Sequence, residues 1–172
     1  MHREYTSLGL MSGTSGDGVD ASIIISNGID KFELVKDKYY EYDPNIYRDF
    51  HSLKEKIIKA DDLFKHSKDI SNLENKITLF HAKIIKDLDL INDDLIIGFH
   101  GQTIYHNPKE KISKQIGNAN LLNQLTKKKI VFNFRKNDIL NGGEGAPLTP
   151  IFHQLITTQK KIRLPVCILN IG

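Results

Sequence analysis

A glycine-rich stretch between two strand-like segments places the strongest constraint on the fold of this chain. Residues Gly9–Asp20 read GLMSGTSGDGVD, and apolar residues alternate with polar ones on both sides. This alternation predicts strands over Ser7–Met11 and Val19–Ser26, because successive side chains of a strand point to opposite faces. An Asn27-Gly28 turn signal and a further alternation over residues 32–42 extend the prediction to three antiparallel strands.

The composition of the glycine-rich stretch suits the binding of a phosphate group. Gly13, Gly16 and Gly18 allow a tight turn and a close approach of a ligand to the backbone. The hydroxyl and backbone N–H groups of Thr14 and Ser15 can donate to an anion. An ordinary glycine-rich β-turn is the alternative, but the density of hydroxyl and carboxylate side chains between two strands favours a ligand site.

Two carboxylates accompany these groups. Asp17 and Asp20 repel a phosphate, but they suit a hydrated Mg²⁺ ion beside one. The stretch lacks the Gly-Lys-Ser/Thr ending of a Walker A loop and the Gly-x-Gly-x-x-Gly spacing of a dinucleotide site. We therefore predict a phosphate-binding hairpin loop of another kind, in a nucleotide-dependent enzyme.

The remaining apolar patterns predict helices that alternate with strands. One helix begins at Asp43-Pro44, and a second begins at a Ser71–Glu74 capping box. Further strands are predicted over Leu95–Phe99, Ile112–Ile116, Ile130–Phe134 and Pro165–Ile171, and short helices after Asn118 and Thr149. This order predicts an α/β fold with a mixed sheet and helices on both of its faces.

Two more polar segments follow predicted central strands, where open α/β sheets bind ligands. His100–Thr103 offers imidazole, amide and hydroxyl groups suited to a sugar or another polyol, although polar side chains also cap strand ends. Residues 135–148 are predicted to be a glycine-rich loop, in which Arg135 and Lys136 could offset phosphate charge and Asp138 could orient a hydroxyl. A solvated group of loop charges is the alternative there.

Composition argues against several functions. The net charge of the 172 residues is only +3 and the lysines are scattered, which argues against a nucleic-acid partner. No apolar run reaches membrane-spanning length, so no membrane partner is expected and the cytoplasm is the predicted compartment. Cys167 is the one cysteine, which excludes an intrachain disulfide, and it is predicted to be a small buried residue of the last strand.

Several of these motifs occur together, in the same order, in one known family. The chain resembles the anhydro-N-acetylmuramic acid kinases over nearly its whole length. The motifs that carry the resemblance are Gly9–Asp20 (GLMSGTSGDGVD), Gly98–Thr103 (GFHGQT) with His106, Gln115–Asn118 (QIGN), Asn133–Asp138 (NFRKND), Gly142–Pro147 (GGEGAP) and Leu169–Gly172 (LNIG). Each motif alone is weak, whereas the ordered set is highly specific.

The resemblance implies the ribonuclease-H fold shared by actin, hexokinase and Hsp70, of which residues 1–172 form the N-terminal domain. It implies ATP as the phosphoryl donor together with Mg²⁺, and anhydro-N-acetylmuramate as the substrate. The implied reaction is hydrolytic opening of the 1,6-anhydro bond with phosphorylation of the 6-oxygen, a step of peptidoglycan recycling and amino-sugar metabolism. Another sugar or glycerol kinase of this fold is the alternative, but fold alone would not supply both His100–Thr103 and Gly142–Pro147.

The resemblance also implies roles for residues of this sequence. The ATP-phosphate loop is Gly13, Thr14, Ser15, Gly16, Asp17, Gly18, Val19 and Asp20, with Mg²⁺ held through water by Asp17 and Asp20. The sugar-binding residues are Gln102, Thr103, Asn137 and Asp138. The water-activating aspartate and the adenosine site of the family are expected beyond Gly172, so no catalytic residue is assigned.

Four positions depart from the family pattern. Gly16 stands where the family usually has leucine, and Asn133 replaces an aspartate. Asn137 replaces an arginine that is expected to face the sugar, and Glu144 replaces a common glutamine. The exchange at Asn137 removes a charge from the predicted sugar site.

Members of the family are about twice as long as this chain and close two such domains around ATP. The sequence ends within the motif that begins the second phosphate loop, so we expect an N-terminal half with negligible kinase activity alone. The alternatives are a non-catalytic interaction module, or half of a split kinase that pairs with a separate C-terminal polypeptide or with a second copy of itself. An unpaired domain face is expected to expose apolar surface.

Overall fold

A six-stranded mixed sheet carries the glycine-rich stretch at its first hairpin. The computed structural model describes residues 3–89 and 94–169 of the chain. The strands are β1 (Tyr5–Ser12), β2 (Gly18–Ser26), β3 (Phe32–Glu41), β4 (Ile96–Asn107), β5 (Ile112–Ile116) and β6 (Lys129–Val131). The helices are α1 (Pro44–Lys56), α2 (Ala60–Lys65), α3 (Ser67–Asp87), α4 (Ala119–Thr126), α5 (Lys136–Leu140) and α6 (Pro150–Gln159), with a 3₁₀ turn over Pro108–Glu110.

The sheet combines antiparallel and parallel neighbours. The strand order is β3-β2-β1-β4-β5, and β6 pairs with β4. β2 is antiparallel to both of its neighbours, β1 and β3, with Leu8 of β1 opposite Ile23 of β2. β4 runs parallel to β1 and β6 and antiparallel to β5. The predicted three-stranded antiparallel start and the mixed sheet are therefore confirmed.

The main hydrophobic core lies between one face of the sheet and the helices α1, α3 and α4. Alternate residues of β1 and β2 are buried, among them Leu8, Leu10, Val19 and Ala21. They form one cluster with the apolar stripes of the helices. The period-two burial explains why a one-residue slip of either strand would expose its apolar side chains.

α1 begins at the residue predicted from the sequence. The Asp43 carboxylate accepts hydrogen bonds from the backbone N–H groups of Asn45 (2.9 Å) and Ile46 (3.0 Å), and Pro44 occupies the first turn, where its missing N–H costs nothing. The predicted apolar stripe of this helix is buried: Ile46, Phe50, Leu53 and Ile57. α1 is thereby fixed against the core.

The other face of the sheet is only partly covered. α6 lies over it and leaves a cleft of about 670 Å³, whose walls include Gly9, Ile24, Phe152 and Ile156. No residue of α6 is buried. Helices occupy both faces, as predicted, but the two layers are packed to very different degrees.

The second predicted helix begins earlier than the sequence indicated. α3 starts at Ser67, because buried Ile70 extends its apolar stripe toward the N-terminus. The predicted capping box at Ser71–Glu74 is wrong: Glu74 instead accepts hydrogen bonds from the Gly117 N–H (3.3 Å) and the Lys114 ammonium (3.5 Å). Neither α3 nor another helix of the described residues is long and apolar enough to cross a membrane.

The fourth strand is longer than predicted. His100–Thr103 lies inside β4 and not in a loop after it. The reason is a change of partner along the strand: Gln102 pairs with Ser12 of β1 and with Ile116 of β5. Gly101, with a φ of +70°, makes the bend where the strand changes its pairing partner.

Two predictions for the C-terminal third are also wrong. The predicted buried strand over residues 130–134 shrinks to β6, and Phe132 beyond it is 46% exposed. Residues 135–148 are not loop throughout, because Ile139 is buried and supports the short helix α5.

The last predicted strand also differs from the structure. Residues 165–169 form no strand, because they lie beside no strand of the described part of the chain, while residues 170 and 171 lie outside the described residues. Cys167 is exposed, contrary to its predicted burial.

Candidate functional site

The first carbonyl group of the glycine-rich loop points into the protein. Gly13 O accepts hydrogen bonds from the Gly16 N–H (3.2 Å) and from Nε2 of Gln102 (2.7 Å). The first bond closes the turn within the loop, and the second ties the loop to β4. The loop between β1 and β2 is therefore attached to the neighbouring strand by a side chain 89 positions away in sequence.

Two further carbonyl groups of the loop are held in the same way. Lys54 of α1 donates from Nζ to Thr14 O over 2.6 Å. The backbone N–H of Tyr42 donates to Asp17 O over 2.9 Å. Three carbonyl oxygens of the loop are thus satisfied by β4, by α1 and by the segment between β3 and α1.

The amide groups of the loop have no such partners. Within residues 3–89 and 94–169, the backbone N–H groups of Thr14, Ser15 and Asp17 donate to no acceptor. Held carbonyls together with unpartnered N–H groups on the successive residues Thr14 and Ser15 are the arrangement of an anion-binding nest, while the Gly16 N–H closes the turn. The loop therefore fits a phosphate group through its backbone.

The conformation of the loop requires its central glycine. Gly16 has a φ of +70°, and a Cβ added there would overlap the ring of Phe50. Phe50 is fully buried in α1 and so has no room to move aside. Its ring occupies the space that a side chain at position 16 would need.

The first carboxylate of the loop has a hydroxyl partner. Ser15 Oγ donates to Asp17 Oδ1 over 2.7 Å. Burial raises the pKa of the neighbouring Tyr39, and the charges of Asp17, Glu41 and Asp20 raise it further. Tyr39 therefore keeps its proton beside these carboxylates.

The second carboxylate lies opposite Tyr39 on the neighbouring strand. Asp20 is exposed on β2 and pairs with Tyr39 of β3. Neither Asp17 nor Asp20 forms a salt bridge with another described residue. No group of three metal-ligating side chains occurs in the described part of the chain.

Gln102 presents an unsatisfied acceptor next to the loop. The side chain is fully buried, and its Nε2 is committed to Gly13 O. Its Oε1 has no hydrogen-bond partner among the described residues. Since a buried acceptor rarely stays unpaired, this oxygen is suited to a donor such as a ligand hydroxyl or a water molecule.

His100 has a defined tautomer. Its Nδ1 lies 2.7 Å from Gly101 O, which can only accept, so Nδ1 carries the proton. Nε2 then accepts from Nε of Arg135 over 3.1 Å. Burial lowers the pKa of His100, and the Arg135 charge lowers it further, so the neutral ring persists.

Arg135 and Asp138 shape the second glycine-rich segment. Arg135 Nη1 donates to Gly145 O over 2.7 Å, and Asp138 Oδ2 accepts from the Gly145 N–H over 2.7 Å. The carbonyl of Asp138 accepts from the Gly143 N–H over 2.9 Å. Asp138, predicted as a sugar ligand, thus has a demonstrable function in folding the segment over residues 142–147.

The remaining predicted sugar residues have local partners. Thr103 Oγ1 accepts from Gln115 Nε2 over 3.3 Å, and Asn137 accepts two bonds from Asn141. Gln102 is the predicted sugar residue whose side chain is hydrogen-bonded to the phosphate loop within the described residues. Thr103, Asn137 and Asp138 form no hydrogen bond with that loop in the same part of the chain.

Sequence reasoning missed three residues that contact the loop: Phe50, Lys54 and Tyr39. Phe50 and Lys54 are four residues apart on α1, so they share one helix face. The helix period places them together, but only the tertiary structure brings that face to the loop. The pairing of β3 with β2, which was predicted, is the signal that could have placed Tyr39 beside Asp20.

The strand order and the nest at the first hairpin define a class of protein. The chain has the actin-like, ribonuclease-H-like α/β fold, with its glycine-rich loop between β1 and β2. The family model for anhydro-N-acetylmuramic acid kinase matches residues 5–172. The chain belongs to this family.

Individual relatives agree with the family match. An anhydro-N-acetylmuramic acid kinase of Pelagibacter ubique is 59% identical over an alignment of 174 positions, which covers 100% of this chain and 46% of that protein. The proteins of the same name from Gluconobacter oxydans and Agrobacterium fabrum are 38% and 33% identical, over 96% and 97% of this chain and 45% and 47% of their own lengths. The chain spans about half the length of the curated relatives it matches.

Proposed function

We propose that this chain supplies the nucleotide-phosphate site and part of the sugar site of an anhydro-N-acetylmuramic acid kinase. The observation that carries the proposal is the nest: three loop carbonyls point inward while the N–H groups of Thr14, Ser15 and Asp17 lack acceptors among the described residues. The match to the kinase family supports the identity of the ligand as ATP.

The phosphate side of the proposed site is Gly13, Thr14, Ser15, Gly16, Asp17, Gly18, Val19 and Asp20. Bound ATP with Mg²⁺ supplies the transferable phosphoryl group and neutralises its charge. The backbone N–H groups of the loop hold phosphate oxygens, and Asp17 and Asp20 orient water molecules of the ion. Ser15 keeps the Asp17 carboxylate in place through its hydroxyl group.

The sugar side of the proposed site begins at Gln102. Its Nε2 holds the loop, and its buried Oε1, which has no partner among the described residues, pairs with a sugar hydroxyl only when ligand binding uncovers it. Thr103, Asn137 and Asp138 complete this side, with Asp138 also holding Gly145. The proposed substrate is anhydro-N-acetylmuramate, opened at its 1,6-anhydro bond and phosphorylated at the 6-oxygen, in peptidoglycan turnover in the cytoplasm.

The proposed domain role follows from the length of the relatives. Residues 1–172 are an N-terminal actin-like domain, and a second domain supplies the base and the adenosine contacts. Because catalysis of phosphoryl transfer rests on alignment between both sides of the site, we expect negligible turnover from this chain alone. Release of ADP that depends on both ATP and sugar, at a rate typical of a complete kinase, would contradict this.

Titration calorimetry with Mg·ADP tests the phosphate site directly. Two variants at one position separate the backbone from the side chain: Ser15→Pro removes the N–H group, and Ser15→Ala keeps it while losing the same hydroxyl. We expect wild-type protein and the alanine variant to bind Mg·ADP and the proline variant to bind at least tenfold more weakly. The proposal fails if wild-type protein does not bind at millimolar Mg·ADP, or if both variants bind equally.

A second candidate function is supported by the C-terminal part of the chain. Ile151, Leu164 and Leu169 are 83%, 70% and 78% exposed, and α6 has no buried residue. Such exposed apolar surface suits half of a two-chain kinase, which pairs with a separate C-terminal polypeptide or with a second copy of this chain.

Complementation tests this candidate. The unmatched C-terminal half of the Pelagibacter ubique kinase, mixed with this chain, is expected to form a complex in sedimentation velocity and to release ADP in the presence of ATP and sugar. Each half alone is the control and is expected to be inactive. Absence of both a complex and turnover in the mixture, with this chain monomeric, would rule the candidate out.

A further inference from the structure

The glycine-rich loop rests on α1 through two residues outside the loop motif. Lys54 donates from Nζ to Thr14 O over 2.6 Å, and its ammonium lies 5.5 Å from the centre of the Phe50 ring. That ring fills the space beside Gly16. One face of α1 therefore supports both the tip of the loop and its turn.

The bond from Lys54 determines the direction of an amide group. In a planar trans peptide, the carbonyl of one residue and the N–H of the next point in opposite directions. Because Lys54 holds Thr14 O toward α1, the N–H of Ser15 must point away from α1. This N–H is one of those without an acceptor in the described part of the chain.

Gln102 acts in the same way one residue earlier. Its Nε2 holds Gly13 O, so the N–H of Thr14 points away from the Gln102 side chain. Two side chains from different elements, β4 and α1, thus orient two successive amides. A nest binds an anion through such successive N–H groups, whose positions must be fixed before the anion arrives.

We propose that Lys54 is a positioning residue for nucleotide phosphate, which acts by holding the Thr14 carbonyl so that the Ser15 N–H faces the bound anion, with Gln102 setting the Thr14 N–H in the same manner. This inference rests on the proposed function, because it specifies how the phosphate loop is prepared. It assigns Lys54 a function through the backbone and not as a phosphate ligand.

The chain provides a matched control for Lys54. Lys56 lies in the same last turn of α1, is exposed, and forms no salt bridge with another described residue. Lys54→Met and Lys56→Met remove the same charge from the same helix turn. A difference between the two variants therefore reports the bond to Thr14 and not the net charge.

The first measurement needs no ligand. Amide nitrogen and proton shifts, and amide exchange rates, are recorded for both lysine variants by NMR. Lys54→Met is expected to shift the Ser15 amide and accelerate its exchange more than it affects Thr14, whereas Gln102→Met is expected to affect the Thr14 amide more. Lys56→Met is expected to leave both amides unchanged. A purely structural role of Lys54 would spread changes over α1 and the core without this residue-specific pattern.

The second measurement is Mg·ADP binding by calorimetry. We expect Lys54→Met to weaken binding about tenfold, Lys56→Met to leave it within twofold of wild type, and Lys54→Arg to recover part of the loss because it restores a donor. If wild-type protein binds Mg·ADP and Lys54→Met binds as tightly as Lys56→Met, this inference is overturned while the proposed function stands. If wild-type protein does not bind Mg·ADP at all, the proposed function fails and the inference fails with it.

Discussion

The two faces of the sheet differ in how well the chain stabilises them. On the face toward α1, α3 and α4, Leu8, Val19 and Ile97 are fully buried. On the face toward α6, a cleft of about 670 Å³ remains and Phe152 is 41% exposed. One layer has the packing of a protein interior, and the other has apolar side chains without enough partners.

This difference matches the distribution of the candidate site. The phosphate loop is held by residues of α1 and β4 from the well-packed layer, and none of its residues lines the cleft under α6. A binding loop needs rigid support, because positional disorder of its donors weakens every contact with the ligand. The poorly packed layer is where an additional polypeptide can contribute stability without disturbing the loop.

Alanine substitutions on the two faces give the largest expected effect. Phe99 is 2% exposed in the core, so Phe99→Ala is expected to lower the free energy of unfolding by about 3–5 kcal/mol through lost burial and a cavity. Phe152 touches Phe32 at a ring distance of 5.0 Å but remains partly exposed, so Phe152→Ala is expected to cost roughly 1 kcal/mol or less. Urea unfolding of both variants measures the difference, and equal losses would show that the second face is as well packed as the first.

The buried histidine of α3 makes the well-packed layer sensitive to acid. His81 is fully buried, its Nδ1 lies 2.8 Å from Ile77 O, and burial lowers its pKa from 6.5 to about 4. The unfolded chain therefore binds this proton at a higher pH than the folded chain does. The contribution of neutral His81 to the free energy of unfolding is fully present above about pH 6.5. It falls by about 3 kcal/mol as the pH decreases toward 4.

Chemical unfolding between pH 7 and pH 4 measures this loss for His81. His81→Phe is expected to flatten the pH dependence, while His153→Phe, on the loosely packed helix α6, is expected to leave it unchanged. A pH profile that persists in His81→Phe would place the acid sensitivity elsewhere in the molecule.

Disturbing the contact between the loop and α1 is expected to lower the free energy of unfolding by less than the core substitution Phe99→Ala. Gly16→Leu introduces a Cβ at a φ of +70° and against Phe50, so we expect a loss of roughly 2 kcal/mol. Phe50→Ala makes space for the leucine, and the double variant is therefore expected to lose at least about 1 kcal/mol less than the sum of the single losses. A double-mutant cycle by urea unfolding measures this coupling, and additive losses would mean that the ring does not restrict position 16.

Local patterns predicted the elements whose signals are contained in a few residues. The hairpin of β1 and β2 follows from alternation around Gly9–Asp20, and α1 follows from Asp43, Pro44 and a regular stripe that ends at Ile57. The position of the glycine-rich loop at the tip of this hairpin was predictable for the same reason. In these cases the preference of the segment and its tertiary environment agree.

Long-range pairing determined what the sequence did not reveal. β4 continues through His100–Thr103 because β5 lies beside it, and α5 forms because Ile139 finds a buried site. Residues 165–169 have the composition of a strand but lie beside no described strand. Likewise, Lys54 could not be assigned to the loop from its own neighbourhood, because its partner Thr14 is 40 residues away.

The smallest expected effect on stability comes from substitutions of Asp138, which holds the segment over residues 142–147. These substitutions separate the structural role of Asp138 from its proposed role in sugar binding. Asp138→Ala removes the acceptor of the Gly145 N–H, a bond of 2.7 Å on an exposed side chain, and is expected to cost about 1 kcal/mol or less in global stability. Its local effect should be larger: amide exchange of Gly145 is expected to accelerate in Asp138→Ala and much less in Asp138→Asn, because an asparagine oxygen still accepts. Since Asp138→Asn keeps the bond but loses the charge, weaker sugar binding by this variant in a complete kinase would show that the carboxylate also contacts the substrate, whereas unchanged sugar binding would leave Asp138 a residue that folds the segment.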